Sequence, residues 1–302
     1  MFFHNVPLGT IDAGFSCPNR DGTISSGGCI YCNSLGSGTG AYRRGLSVTE
    51  QLRAGIQAMS KRYKAKKFIA YFQAYTNTYA PVERLKNIYD EALAVDDVVG
   101  ISIGTRPDCV NSEILDLLES YTGSFMVWLE YGVQSMLDRT LAAINRGHDA
   151  ACTERAVAMT RGRGINMCAH VILGLPGETR DDMLYTARRV AEMGFDGIKI
   201  HLLYVVKGTR LSEMYFAGDY ECLGQKEYVD LVCDVLELLP PGMVIQRITG
   251  DPHREELAAP AWSLDKAGTI RAINETLKQR DSFQGMLYNP GDNAMGSMRC
   301  EP

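Results

Sequence analysis

Residues 17–32 read CPNRDGTISSGGCIYC. Cys17, Cys29 and Cys32 put three thiols into one short segment, and Gly27 and Gly28 let its backbone fold back on itself. Three thiolates in one loop make a soft-metal or iron–sulfur site. A structural zinc takes four ligands, and no fourth Cys or His stands at a zinc-finger distance. A four-iron cluster on three thiolates keeps one iron open to a small molecule. The competing reading is an unrelated trio of free or buried thiols. The other six of the nine cysteines are scattered along the chain and read as small core hydrophobes or inert thiols.

Outward from this loop, strands and helices alternate. The loop leaves an apolar stretch, VPLGTIDAGF at 6–15, which reads as a first strand. Ser47 and Glu50 form a capping box that opens a helix. KFIAYFQ (67–73) is a short buried strand, and Pro81 marks the start of a helix running to about Ala94. VVGISIGT (98–105), SFMVWLEYGVQS (124–135), INMCAHVILGLPG (165–177) and GIKIHLLYVV (197–206) supply four more strands. Helical stretches fall at 113–121, 136–144 and 150–162. Thr179 caps another, with Asp181 and Asp182 in its first turn. Six strand–helix repeats specify a parallel sheet with helices outside, curved into a partial barrel whose working side is the strand C-terminal exits. After Phe216 the repeat ends. Helices at 225–239 and 265–280 then flank a loop-rich extension that covers the barrel.

The bulk numbers fit that picture. The chain has 302 residues, 45% of them hydrophobic and 22% charged, with a formal net charge of −5. No apolar run suffices to span a bilayer and no secretory leader is visible, which makes the cytoplasm the expected location. Nothing global advertises nucleic acid. Locally, residues 61–67 read KRYKAKK, either a solvated helix end or a place for an RNA backbone.

DAGFSCPNRDG, GGCIYC, FQAYTNTYAPVE, GTRPD, LEYGVQS, NRGH, HVILGLPGET, LYVVKGT and TGDP follow one another over residues 12–252. In these motifs the chain resembles the radical S-adenosylmethionine (SAM) superfamily, within it the branch of the Elongator catalytic subunit, and there the bacterial YhcC/YtqA type. The most familiar radical SAM motif spaces its first two cysteines more tightly than the eleven residues between Cys17 and Cys29; the Elongator branch has such a widened loop. The start is shorter than in many such relatives.

The resemblance implies an α/β fold with a partial (β/α)6 TIM-like barrel of the radical SAM type, which the strand–helix repeat puts over 6–215; the chain after it reads as a C-terminal α/β extension over 216–285 and a mobile tail over 286–302. It implies a [4Fe-4S] cluster on Cys17, Cys29 and Cys32, with SAM on the open iron. Tyr31 then lies near the adenine. Gln73 and Asn77, in the turn replacing the family's Gly-Gly-Glu-like segment, receive the SAM amino group. Glu130 takes the ribose hydroxyls with support from Gln134, Arg146 forks onto the SAM carboxylate, and the turn carrying Gly174 and Leu175 approaches the adenine. Lys207 and His170 are candidates on the substrate side. His170 and His201 fall in strands whose inward side chains face the lumen, as site residues or as satisfied core histidines; Arg106 and Asp108 pair with each other or with substrate, and Arg247, Asp251 and Arg254 close the site from above.

The implied chemistry is one-electron reduction of the cluster, cleavage of SAM to methionine and a 5′-deoxyadenosyl radical, and hydrogen abstraction from substrate. The expected partners are SAM, tRNA through its wobble uridine, and a one-electron donor such as flavodoxin or ferredoxin. A radical SAM enzyme on a small metabolite, or a cluster-carrying binding or sensing protein, are the alternatives.

Overall fold

The computed structural model describes residues 7–33, 36 and 41–290. β1 (Leu8–Ile11) feeds the cysteine loop, and α1 (Val48–Tyr63) opens on the expected box: Ser47 Oγ accepts from Glu50 N, while Glu50 Oε2 accepts from Ser47 N at 2.8 Å. The repeat continues through β2 (Phe68–Phe72), α2 (Val82–Leu93), β3 (Val98–Thr105), α3 (Ser112–Tyr121) and β4 (Met126–Gln134). α4 (Asp138–Ala143) and α5 (Ala150–Thr160) cross over to β5 (Asn166–Leu173). α6 (Arg180–Glu192), boxed by Thr179 and Asp182, leads to β6 (Gly197–Leu202). Each parallel strand needs a crossover, and the helices supply it while covering the outer face. Leu52, Leu85, Ile101, Leu115 and Leu129 are fully buried between the sheet and these helices, each contributing about 1.5–3 kcal/mol of apolar burial.

Two departures from the expected pattern shape the site. The run 197–206 is not one strand. It breaks after Leu202, and β7 (Val205–Val206) turns away before α7 (Arg210–Ala217), which crosses the boundary expected at 215–216. The segment after α8 (Gln225–Leu238) also returns to the sheet: β8 (Val244–Arg247) pairs in parallel with β6. The described residues therefore form a seven-stranded parallel sheet in the order β1-β2-β3-β4-β5-β6-β8. β8 carries no legible signal because it has four residues, all partly exposed and without alternation. β9 (Leu257–Ala259) pairs antiparallel with β7, and α9 (Lys266–Gln279) packs on α8 through the Cys233–Ile273 contact. Residues 291–302 of the expected tail lie outside the described residues.

The basic run 61–67 joins the end of α1 to the start of β2, at the N-terminal edge of the sheet. The cysteine loop leaves the opposite edge, with the length of a five-residue strand, roughly 16 Å, between them.

Candidate active site

The cysteine loop is tied by its own backbone and by several side chains. Cys17 O accepts from Arg20 N at 2.8 Å, Gly28 N donates to Asn19 O at 2.8 Å, and Cys32 N donates to Cys29 O at 3.0 Å. Gly27 and Gly28 have φ of +92° and +79°, the region where a Cβ is costly. Arg20 Nη2 donates to Cys32 O at 2.9 Å and to Asn33 O at 2.5 Å. Cys29 is buried, and its sulfur accepts from Arg146 Nη1 at 3.6 Å and from Asn19 Nδ2 at 3.7 Å.

Arg146 reaches that sulfur because Gly132 makes way for it. A Cβ at Gly132 would stand 2.4 Å from Arg146 Nη2 and 2.7 Å from Gln134 Nε2. Arg146 also donates to Gly132 O at 2.6 Å and to His148 Nε2 at 3.1 Å. Burial and the Arg146 charge push His148 down to about 4, so it serves as a neutral acceptor.

Cys17, Cys29 and Cys32 line one cavity of about 190 Å³ at the strand exits, together with Tyr31, Gln73 and Gln134. Glu130, Arg146 and His170 line the same cavity. The Tyr31 hydroxyl is buried without a hydrogen-bond partner among the described residues. Burial and neighbouring Cys29 push Cys32 up to about 11, so a thiolate there requires a cation to take its charge. No three His, Cys, Asp or Glu side chains among the described residues converge on a single ion, and a four-iron cluster, with one thiolate per iron, does not require them to. The donor set fits such a cluster.

Below the cysteines, polar side chains from β2 to β6 form a hydrogen-bonded floor, two of them from β6. Lys199 Nζ donates to Glu130 Oε2 at 2.5 Å and to Tyr71 OH at 3.1 Å. Ser102 Oγ donates to Glu130 Oε1 at 2.5 Å, and His170 Nε2 lies 2.6 Å from Glu130 Oε2. His201 Nε2 lies 3.2 Å from His170 Nδ1, the two rings stacked at 5.1 Å. Burial pushes the Glu130 carboxyl up, but Lys199 and then His170 outweigh it and hold the group well below its ordinary range. Burial lowers Lys199, and Glu130 more than restores it. The pair is therefore ionised and desolvated. Burial pushes both imidazoles down.

Several expected site residues stand elsewhere or do other work. Asn77 is fully buried and donates to Phe72 O at 3.1 Å and Gly104 O at 2.8 Å, clamping the exits of β2 and β3 without lining the cavity. Gly174, at φ +89°, sits under Leu223 and accepts from Tyr220 OH at 2.9 Å. Leu175 is buried in an apolar cluster with Ile30, Leu203 and Val205. Lys207 is exposed and donates to Glu255 O at 2.8 Å, because the break after β6 carries it off the barrel wall. Glu130 lines the cavity, but both its oxygens are engaged within the protein. Arg106 and Asp108 do pair, at 2.8 and 2.6 Å. Arg247 is part of β8 and the cavity wall rather than a cover, and Asp251 pairs with Lys266 at 2.9 Å.

The sequence reading missed Lys199, Ser102 and Tyr71. The signal was present: in GIKIHL, Ile198, Ile200 and Leu202 are buried toward the helices, and strict alternation sends Lys199 and His201 inward.

A profile of the radical SAM superfamily matches residues 20–190, and one of the radical SAM C-terminal domain matches 195–279. The chain belongs to the radical SAM superfamily. It is 46% identical to YtqA of Bacillus subtilis (strain 168) over 287 residues, 95% of this chain and 89% of that protein. It is 42% identical to YhcC of Escherichia coli (strain K12), over 84% of this chain and 81% of that protein. Elongator complex protein 3 of Saccharomyces cerevisiae is 32% identical over 174 residues, only 30% of that longer protein. The Elp3 structure from archaeal Methanocaldococcus infernus, N-terminally deleted, superposes with a TM-score of 0.69 at 19% identity, covering 81% of this chain and 62% of that one; it shows the shared half-barrel fold. A radical SAM protein uses a [4Fe-4S] cluster and SAM, and Cys17, Cys29 and Cys32 are the residues that fit the cluster. No helix among the described residues is long and apolar enough to cross a membrane.

Proposed function

We propose that this radical SAM protein reductively cleaves SAM and uses the radical to modify the side chain of a tRNA wobble uridine, with electrons from a flavodoxin- or ferredoxin-like donor. The observation that carries the catalytic part is the joining of the three-cysteine loop and the polar lumen in one cavity. When bound, the cluster and SAM supply one-electron cleavage and a 5′-deoxyadenosyl radical. The chain's own residues do the rest. Arg146 and Asn19 direct N–H groups at the Cys29 sulfur. Tyr31, Gln73 and Gln134 present polar atoms around the cysteine end, and the Glu130–Lys199 floor fixes the shape of the lumen beneath.

The tRNA part rests on the partial similarity to Elongator complex protein 3. The location of 61–67, away from the cavity, favours a second reading, a small-molecule substrate. The two separate on bulk tRNA from a strain lacking the gene. An altered wobble-uridine nucleoside by mass spectrometry, restored by the wild-type gene and not by Cys29→Ala, supports the tRNA reading. An unchanged nucleoside profile refutes it.

A further inference from the structure

The floor has a direction. Glu130 is an ionised acceptor held by Lys199 and Ser102, so the hydrogen in the 2.6 Å contact with His170 Nε2 belongs to the histidine. A neutral His170 then has a bare Nδ1, and the 3.2 Å contact to His201 Nε2 is completed by the His201 hydrogen. Neutral His201 in turn has a bare Nδ1, which bonds no described residue. Lys199 on β6 and Arg247 on β8 oppose a cation on either ring, burial does likewise, and only Glu130 favours one. Both rings line the cavity, as does Arg247.

Arg247 supplies the complement. It pairs in register with Lys199, two residues from His201 on the same face of β6, and its guanidinium has no ion pair or hydrogen bond among the described residues. This end of the cavity thus offers a fixed acceptor beside a free donor. β8 is one edge of the half-barrel and the cysteine loop leaves β1 at the other.

We infer that Glu130 and His170 are positioning residues that fix the tautomer of His201, and that His201 Nδ1 and the Arg247 guanidinium read the imide edge of a uracil, accepting from its N3–H and donating to an adjacent carbonyl. The inference rests on the wobble-uridine reading. An anticodon base splayed from its neighbours is read by such edge contacts. In a pyrimidine, N3 and the C5–C6 edge lie on opposite sides of the ring. Anchoring N3 at His201 therefore turns the C5 substituent away from β8, toward the cysteine end. A neutral imidazole keeps this acceptor available across physiological pH, and a substrate without the N3–H donor leaves it unpaired.

The test uses reconstituted holoprotein with SAM, under anaerobic conditions, and two anticodon stem-loop RNAs, one with uridine and one with N3-methyluridine at the wobble position. Wild type is expected to bind the methylated RNA roughly 10- to 100-fold more weakly by fluorescence anisotropy. His201→Phe is expected to bind the two alike, at the weaker level. Equal binding by wild type, or discrimination that survives in His201→Phe, overturns the inference while leaving the tRNA reading standing. Binding of neither RNA overturns the tRNA reading and the uracil assignment together. Histidine 15N NMR of the wild-type protein tests the relay without any variant having to fold. Both rings should be Nε2–H tautomers, unchanged between pH 6 and 8; a titrating ring or an Nδ1–H tautomer refutes the relay.

Discussion

Replacing Lys199 by Met isolates the ion pair on which the lumen is built. Lys199 and Glu130 have side-chain exposures of 4% and 1%, so solvent does not replace the lost charge. Breaking a buried pair from one side costs about 3–5 kcal/mol. Ser102 and His170 still serve the carboxylate, which places the loss near about 3 kcal/mol at pH 8. At about 2 °C per kcal/mol for a chain of this size, the melting temperature falls by roughly 6 °C. The loss should depend on pH. With Lys199 gone, the buried Glu130 carboxylate faces only His170 and Ser102, and a proton taken up by the Glu130–His170 pair offsets the orphaned charge. That offset grows as pH falls. Lys199→Met should therefore recover roughly 1 kcal/mol between pH 8 and pH 6, where one pKa unit is worth about 1.4 kcal/mol. Adding Glu130→Gln removes the orphaned charge and should restore part of the stability at pH 8. The assay is thermal unfolding by circular dichroism of anaerobic, reconstituted protein. Full stability of Lys199→Met at pH 8, or a defect that deepens toward pH 6, would refute the reasoning.

Other outcomes follow from the same structure. Cys29→Ala should abolish both the cluster absorbance and SAM cleavage; retention of either removes Cys29 from the ligand set. Gly132→Ala places a methyl group 2.4 Å from Arg146 Nη2, and overpacking of this kind costs about 1–3 kcal/mol; a fully stable variant contradicts the close approach. Arg146→Met removes an N–H donor from the Cys29 sulfur and should move the cluster midpoint potential more negative by tens of mV, read by redox titration; an unmoved potential contradicts that bond. Neutralising Lys61, Lys64 and Lys67 together should leave tRNA affinity within about 2-fold and its salt slope unchanged, because the run lies at the far edge of the sheet. A slope lowered by about 3 puts those lysines on the RNA.

The parallel half-barrel was legible because its signals are local and redundant. The Ser47–Glu50 box, the Thr179 cap and the run at 98–105 each announce an element without its neighbours, and the cysteine loop is contiguous. Less was readable where tertiary context decides. β8 has no pattern of its own and exists because the edge of β6 is open to pairing. The break between Leu202 and Val205 depends on β9, some fifty residues later, and it moves Lys207 off the wall. Asn77 lies in a turn rich in polar residues, and only the packed β2 and β3 exits show that its amide is spent on backbone carbonyls. Lys199 was overlooked in an apolar strand, although its alternation with Ile198 and Ile200 already pointed it into the lumen. A buried lysine is tolerable only with a partner, and Glu130 is supplied by a strand nearly seventy residues earlier.

The most direct measurement is 5′-deoxyadenosine production by anaerobically reconstituted protein given dithionite and SAM, with and without bulk tRNA. Deoxyadenosine should form in wild type, rise with tRNA and disappear in Cys29→Ala. A well-formed cluster that yields no deoxyadenosine under any of these conditions would contradict reductive SAM cleavage.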